Sequence, residues 1–206
     1  DIVKPDAVIG LNGTLVKVGE EKIFEHFFDK DVLRGLAKYV EGKECSIGLT
    51  LEDKDYFFNP HIIDAYDIKR WGQHFRKFYP AEELFDLPIR TLTYIGPVEG
   101  AKDIEKKFPT LKLPLFAGMF GADVVEKVAS KAEGLKRLCK YFGVDLKDTV
   151  SFGDSMNDKE ILEESGLGIA MGNSIEELKQ YADYVTDNIA DDGVFNALVK
   201  FGFINI

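Results

Sequence analysis

A short apolar strand that runs straight into an acidic loop constrains this chain more than any other feature. Thr149 and Val150 lead into Ser151-Phe152-Gly153-Asp154-Ser155-Met156-Asn157-Asp158, and Ile161 and Leu162 follow at helical spacing. Open α/β sheets place their ligands beyond the carboxyl ends of such strands. Asp154 and Asp158 stand four apart with Asn157 between them. The loop therefore offers hard oxygen donors, which suit Mg²⁺ rather than a soft metal. Taken alone, an Asp-rich loop is also an ordinary turn or helix cap. Its meaning depends on the rest of the chain.

The rest alternates strands and helices. Ala7–Ile9 is a short apolar strand stopped by Asn12-Gly13, a turn signal. Thr14–Val18 and Lys22–His26 read as a hairpin around Gly19-Glu20. Asp29 is placed to cap a helix from about Lys30 to Glu41, with Val32, Leu33, Leu36, Ala37 and Val40 on one face. Ser46–Leu51 and Tyr56–Asn59 alternate as strands. Ile63–Tyr79 is expected to be an aromatic, basic helix, Ile89–Ile95 a strand, and Ala101–Phe108 a short helix. Leu113–Phe116 and Ala122–Val128 are expected strands. Beyond them the alternation is cleaner: helix Ala132–Phe142 stopped by Gly143, strand Thr149–Gly153, helix Lys159–Glu164, strand Gly168–Met171. Helix Ile175–Tyr181 is expected to open on a Ser174–Glu177 capping box. Tyr184-Val185 is a short strand and Gly193–Phe201 a last helix. Repeated units at this spacing imply a parallel, doubly wound sheet.

Charge and composition remove several classes. A formal net charge of −10 argues against non-specific nucleic-acid or acidic-membrane binding, which needs a basic surface. No apolar run approaches the roughly 18–20 residues of a membrane span, and no signal peptide is visible. Cys45 and Cys139 stand far apart in no metal-like spacing, as reduced thiols of a cytoplasmic protein would.

Several ordered motifs together resemble the Cof-like branch of the haloacid dehalogenase superfamily of phosphohydrolases. They are Ser130-Lys131, the Gly153–Asp158 loop, Gly168-Ile169-Ala170-Met171-Gly172-Asn173, Ala182-Asp183-Tyr184-Val185-Thr186 and Asp192-Gly193-Val194. Lys131 stands 23 positions before Asp154, which suits the family's third and fourth motifs. The resemblance implies an α/β fold: a Rossmann-like core, of which this chain carries the C-terminal half, with an α/β cap domain. Residues 1–11 would be the strand leading out of the core, 12–121 the cap, and 122–206 the C-terminal half of the core. Asp154 would be the Mg²⁺ ligand. Asn157 would hydrogen-bond the phosphate or the nucleophile. Asp158 would hold the loop and the metal's outer shell, and Lys131 would neutralise the phosphate and the nucleophile. The implied partner is a small phosphorylated metabolite, a phosphosugar or nucleotide first, and the expected state is a monomer or weak dimer.

The chain departs from the family at its first motif, Asp-x-Asp-Gly-Thr. Val8-Ile9-Gly10-Leu11-Asn12-Gly13-Thr14 fits that pattern except that Gly10 would replace the nucleophile and Asn12 the acid/base. Glycine has no nucleophile and Asn cannot trade a proton. The preferred reading makes Asn12-Gly13 the hinge into the cap, with an absent segment on the order of 50–60 residues, about two βα units, carrying the nucleophile. The alternative is a dead first motif in a non-catalytic pseudo-phosphatase that binds a phospho-ligand or a protein. In the first case the strand leaves for a separate lid at Asn12; in the second it lies beside Thr149–Gly153. Either way the chain by itself is expected to be inactive. A P-type pump shares the acidic loop but needs membrane spans. The cluster Tyr66, Trp71, His74, Phe75, Phe78 and Tyr79 reads as a packed helix face with Lys69, Arg70, Arg76 and Lys77 snorkelling around it, in preference to a substrate-facing surface.

Overall fold

The structure, a computed structural model, describes residues 4–116 and 120–205. Residues 1–3, 117–119 and 206, which the expected domain ranges included, lie outside the described residues. The chain divides into two compact α/β units, residues 1–24 with 130–206 and residues 25–129. The sequence reading put the boundaries at 11/12 and 121/122, and both move for the same reason: pairing partners are tertiary. The hairpin after Asn12 stays with the first unit, where its strands touch the helix at Lys131–Phe142. Ala122–Glu126, expected to open the core half, pairs antiparallel with Leu92–Ile95 in the second unit.

The first unit holds two small sheets. Strands β1 (Ala7–Gly10), β2 (Leu15–Val18) and β3 (Glu21–Glu25) form one, with β1 and β2 antiparallel. Its third strand ends at the crossing into the second unit. The other sheet is parallel, in the order β10 (Val150–Gly153), β11 (Leu167–Ala170), β12 (Tyr184–Val185). Its connections are the Rossmann-like helices α5 (Lys159–Glu164) and α6 (Glu176–Lys179). Leu162 and Leu178 seal against Ala170 in a buried cluster. Helix α4 (Lys131–Phe142) is capped by Ser130, whose Oγ accepts from the Glu133 amide at 3.1 Å. Helix α7 (Gly193–Lys200) is the last helix in chain order. The expected Ser174 cap does not form. Ile175 is the cap residue of α6, and the Ser174 hydroxyl is buried with no partner among the described residues.

The second unit is a six-stranded sheet covered on both faces. Its order is β6 (Phe78–Tyr79), β5 (Lys54–Phe58), β4 (Ser46–Leu51), β7 (Leu92–Ile95), β9 (Ala122–Glu126), β8 (Leu111–Lys112). Only β5 and β6 run parallel. Side chains alternate faces along a strand, so neighbours part company: Tyr56 and Tyr94 join the main core, Phe57 and Ile95 the opposite one. On the main face lie α1 (Lys30–Val40) and α3 (Val98–Lys107), which bury Leu33, Leu36, Val40, Ala101 and Ile104. Asp29 caps α1 as expected, accepting from the Asp31 and Val32 amides. On the other face lies α2 (Pro60–Trp71), through Ile63. The helix expected to reach Tyr79 stops here because Gly72 takes φ 78°, a left-handed stop. His74 and Phe75 therefore lie in a loop, and Trp71 and Phe75 are exposed rather than packed. The two ends of the unit meet at one carboxylate: Glu126 Oε2 lies 2.6 Å from His26 Nε2 and accepts from the Asp29 amide at 3.0 Å.

Both cysteines are buried and free, and burial pushes each thiol up, away from the reactive thiolate. Tyr94 is wholly buried, and its hydroxyl donates to the Pro97 carbonyl at 2.8 Å. Burial first, then the nearby Cys45, Asp103 and Glu99, pushes its phenol well above the usual range. A folded value above the unfolded one means stability that is intact below pH about 10 and lost as pH rises beyond it. Urea midpoints are expected to fall between pH 9 and 11, and Tyr94→Phe to flatten that fall. An unchanged pH slope in Tyr94→Phe would assign the loss to other groups. No helix among the described residues is long and apolar enough to cross a membrane.

Candidate functional site

The acidic loop leaves β10 at Gly153 and is fixed from inside by Asp158. That carboxylate is 5% exposed. Its Oδ2 accepts from the backbone amides of Asp154, at 3.0 Å, and Ser155, at 3.3 Å. Its Oδ1 takes the Lys131 ammonium at 2.5 Å. Gly153 makes the room: a Cβ there would stand 2.5 Å from that of Asp158. Asn157 is tied in turn. Its Oδ1 accepts from Lys131 Nζ at 3.2 Å and from Ser155 Oγ at 2.6 Å. Its amide donates to Asn12 Oδ1 at 3.2 Å. Lys131 is delivered by the first turn of α4, so the capping of that helix by Ser130 also sets the cation.

Asp154 differs from its neighbours. It is exposed, and its carboxylate takes no hydrogen bond or ion pair from the described residues. Its backbone is held, by the Asp158 contact and by the Ile175 amide on its carbonyl at 3.2 Å. The loop thus spends one Asp as an internal brace and leaves the other free on a fixed backbone. Among the described residues no group of three or more His, Cys, Asp or Glu side chains is arranged to hold a metal. Mg²⁺ fits such a place as an ion on one or two carboxylates that keeps several waters and takes substrate phosphate oxygens. Asp154 is the residue that would hold it.

The Gly10–Gly13 turn reaches the same place. Leu11 and Asn12 both take positive φ, 50° and 55°. Asn tolerates that region, whereas Leu there is strained. Gly13, at φ 89°, backs onto Ser130 so closely that a Cβ would lie 2.0 Å from its carbonyl oxygen. Strand β1 pairs with β2 and not with β10, so the arrangement required of a dead first strand is not met. The chain does not leave the unit at Asn12 either; it crosses after Phe24.

All four expected site residues, Lys131, Asp154, Asn157 and Asp158, converge on this loop. Sequence reasoning missed Ser155 and gave Asn12 no contact with it. Ser155-x-x-Asp158 has capping-box spacing, and the box forms here rather than at Ser174. For Asn12, no local signal announces a partner 145 positions away.

The profile of the haloacid dehalogenase-like hydrolases matches residues 2–198. A putative phosphatase of Bacillus subtilis, YkrA, is 29% identical over 95% of this chain and 76% of its own length. A phosphoglycolate phosphatase of Methanobrevibacter smithii is 32% identical over 74% of this chain and 64% of its own length. Among solved structures, the subclass IIB sugar phosphatase BT4131 superposes with a TM-score of 0.79 at 28% identity, over 97% of this chain and 76% of that one. The phosphatase BT1666 of Bacteroides thetaiotaomicron superposes with a TM-score of 0.86 at 25% identity, over 97% and 75%. The ordered motifs, the Rossmann-like parallel sheet and the braced acidic loop agree with these matches, and the chain belongs to the haloacid dehalogenase-like hydrolases, in their Cof-like phosphatase branch.

Proposed function

We propose that this chain carries the metal-holding part of a Mg²⁺-dependent phosphohydrolase of small phosphate esters, with sugar phosphates first. The observation that carries the reading is the braced loop, in which Lys131 and two amides hold Asp158 while the Asp154 carboxylate stays free. Bound Mg²⁺ would supply charge neutralisation for the phosphoryl group. Lys131 adds a second positive charge beside it, and the Asn157 amide orients an oxygen. The names of the relatives, a phosphoglycolate phosphatase and a sugar phosphatase, support a small phosphorylated metabolite as partner. A cytoplasmic monomer or weak dimer fits the reading.

In the complete reaction a carboxylate oxygen attacks phosphorus, the ester P–O bond breaks, and the leaving oxygen takes a proton from an acid. Water then cleaves the aspartyl-phosphate. The 206 residues contain no Asp-x-Asp-Gly-Thr run, and Gly10 and Asn12 supply neither nucleophile nor acid. We therefore expect no turnover from the sequence as given, since loss of the nucleophile costs several powers of ten. The test pairs intact mass with Mg²⁺-dependent phosphate release from p-nitrophenyl phosphate. A protein of 23.2 kDa is expected to be silent, and robust turnover at that mass would sink the reading. An inactive 23.2 kDa protein that still binds phospho-ligands tightly would favour a binding module.

Metal binding is separable from turnover. Asp154→Asn is expected to weaken Mg²⁺ by more than the roughly 10–100-fold typical of losing an outer-shell partner. Calorimetric titration reads the affinity, and an unchanged thermal midpoint excludes a folding cause. Equal affinity in both proteins would remove Asp154 as the ligand.

A further inference from the structure

The second unit carries a groove of about 860 Å³ that the acidic loop plays no part in. That volume lies in the range of small-molecule sites. One wall is a stripe of α2, residues spaced three and four apart on one helix face. The other wall comes from the loop at 42–44, Pro97 and Phe120.

Two properties of the lining select a ligand. The first is aromatic: the Tyr66 and Phe120 rings stack with centroids 5.5 Å apart and planes 14° apart, and Phe120 is 42% exposed, so a further ring can add to the stack. The second is charge. The chain has 36 acidic residues against 26 basic, yet the groove reverses the balance, with Lys43, Lys69 and Arg70 against Glu44. Arg70 is held over the ring wall, donating to Tyr66 Oη at 2.7 Å and lying 5.1 Å from the Trp71 ring. Its guanidinium has five donors, so the Tyr66 bond leaves others free for a ligand. Lys69 lines the groove, exposed, and makes no ion pair or hydrogen bond with the described residues. A basic rim around a stacked aromatic wall complements a planar ring bearing negative charge.

We propose that this groove binds a planar aromatic anion, with Tyr66 and Phe120 taking the ring and Lys69 and Arg70 the charge. The proposal stands apart from the phosphatase reading, because none of its residues belongs to the acidic loop.

Flavin mononucleotide is a suitable probe, with riboflavin as its uncharged counterpart and inorganic phosphate as the ring-free one. Flavin fluorescence is titrated with the whole protein in the absence of Mg²⁺. Saturable 1:1 binding of the mononucleotide is expected, with riboflavin about tenfold weaker or worse for want of the charge-assisted contacts. The double variant Lys69→Ala/Arg70→Ala, both exposed on the last turn of α2, is expected to weaken the mononucleotide by about tenfold or more. Asp154→Asn is expected to leave it unchanged. No saturable binding, an unaffected double variant, equal binding of riboflavin, displacement by equimolar phosphate, or loss in Asp154→Asn would each overturn the proposal.

Discussion

Replacing Arg76 with alanine is expected to destabilise the six-stranded unit by about 3–5 kcal/mol, the usual consequence of stranding buried charge. Arg76 lies in the loop after α2 and serves two carboxylates at once. It donates from Nη1 to Asp55 at 2.9 Å and from Nε to Asp67. Asp55 is 6% exposed and Asp67 3%. Asp55 also accepts from Thr50 Oγ1 at 2.7 Å and from the Lys77 amide at 2.8 Å, so it retains partners, but none of them carries charge. Asp67 loses its charged partner outright. Urea unfolding followed by the single Trp71, at the end of α2, reads the unit concerned. Arg76→Lys keeps the charge without the planar fork and should fall between. A loss below about 1 kcal/mol, the scale of an exposed ion pair, would mean that water reaches these carboxylates.

Asp158→Ala is expected to cost on the order of 3 kcal/mol and to weaken Mg²⁺ as well, although Asp158 is not the proposed ligand. The substitution frees two partly buried amides, those of Asp154 and Ser155, and removes the acceptor nearest the Lys131 ammonium. Lys131 is about a third exposed and can turn to water, so the larger share of the cost falls on the amides. The loop then no longer holds Asp154 in place. A 10–100-fold loss of Mg²⁺ affinity is expected, as for other partners that orient a ligand without touching the metal. Calorimetry at a temperature where the variant is folded checks it. Full affinity in a folded Asp158→Ala protein would show that the brace does not position the ligand.

What was legible in the sequence follows a physical line. Local signals read correctly: the Asp29 cap, the apolar stripe of α1, and the order of strands around the acidic loop. Those patterns depend only on residues a few positions apart. Most of what failed depended on distant partners. Ala122–Glu126 has a strand's composition, and nothing in it says that the partner is Leu92–Ile95 rather than a core strand. Ser174 and Ser155 each have an acidic residue three positions on; only Ser155 has Lys131 and β10 to fix the turn around it. The aromatic run after Ile63 looked helical throughout because its ring spacing hid the significance of Gly72. That Lys131, Asn157 and Asp158 come together was legible because the ordered motifs set their spacing along the chain. The Asn12 edge was not, because the contact spans most of the chain.

The junction of His26, Asp29 and Glu126 bears on how such a protein changes over time. A segment whose beginning and end are fastened to one another behaves, to the unit that hosts it, like a short connection whatever its internal length. The host then pays little closure entropy for it. Segments of this kind can lengthen, shorten or be exchanged without disturbing the fold they interrupt. The surface of the second unit is therefore free to drift while the loop around Asp154 stays as it is, provided one carboxylate at position 126 continues to hold the two ends together.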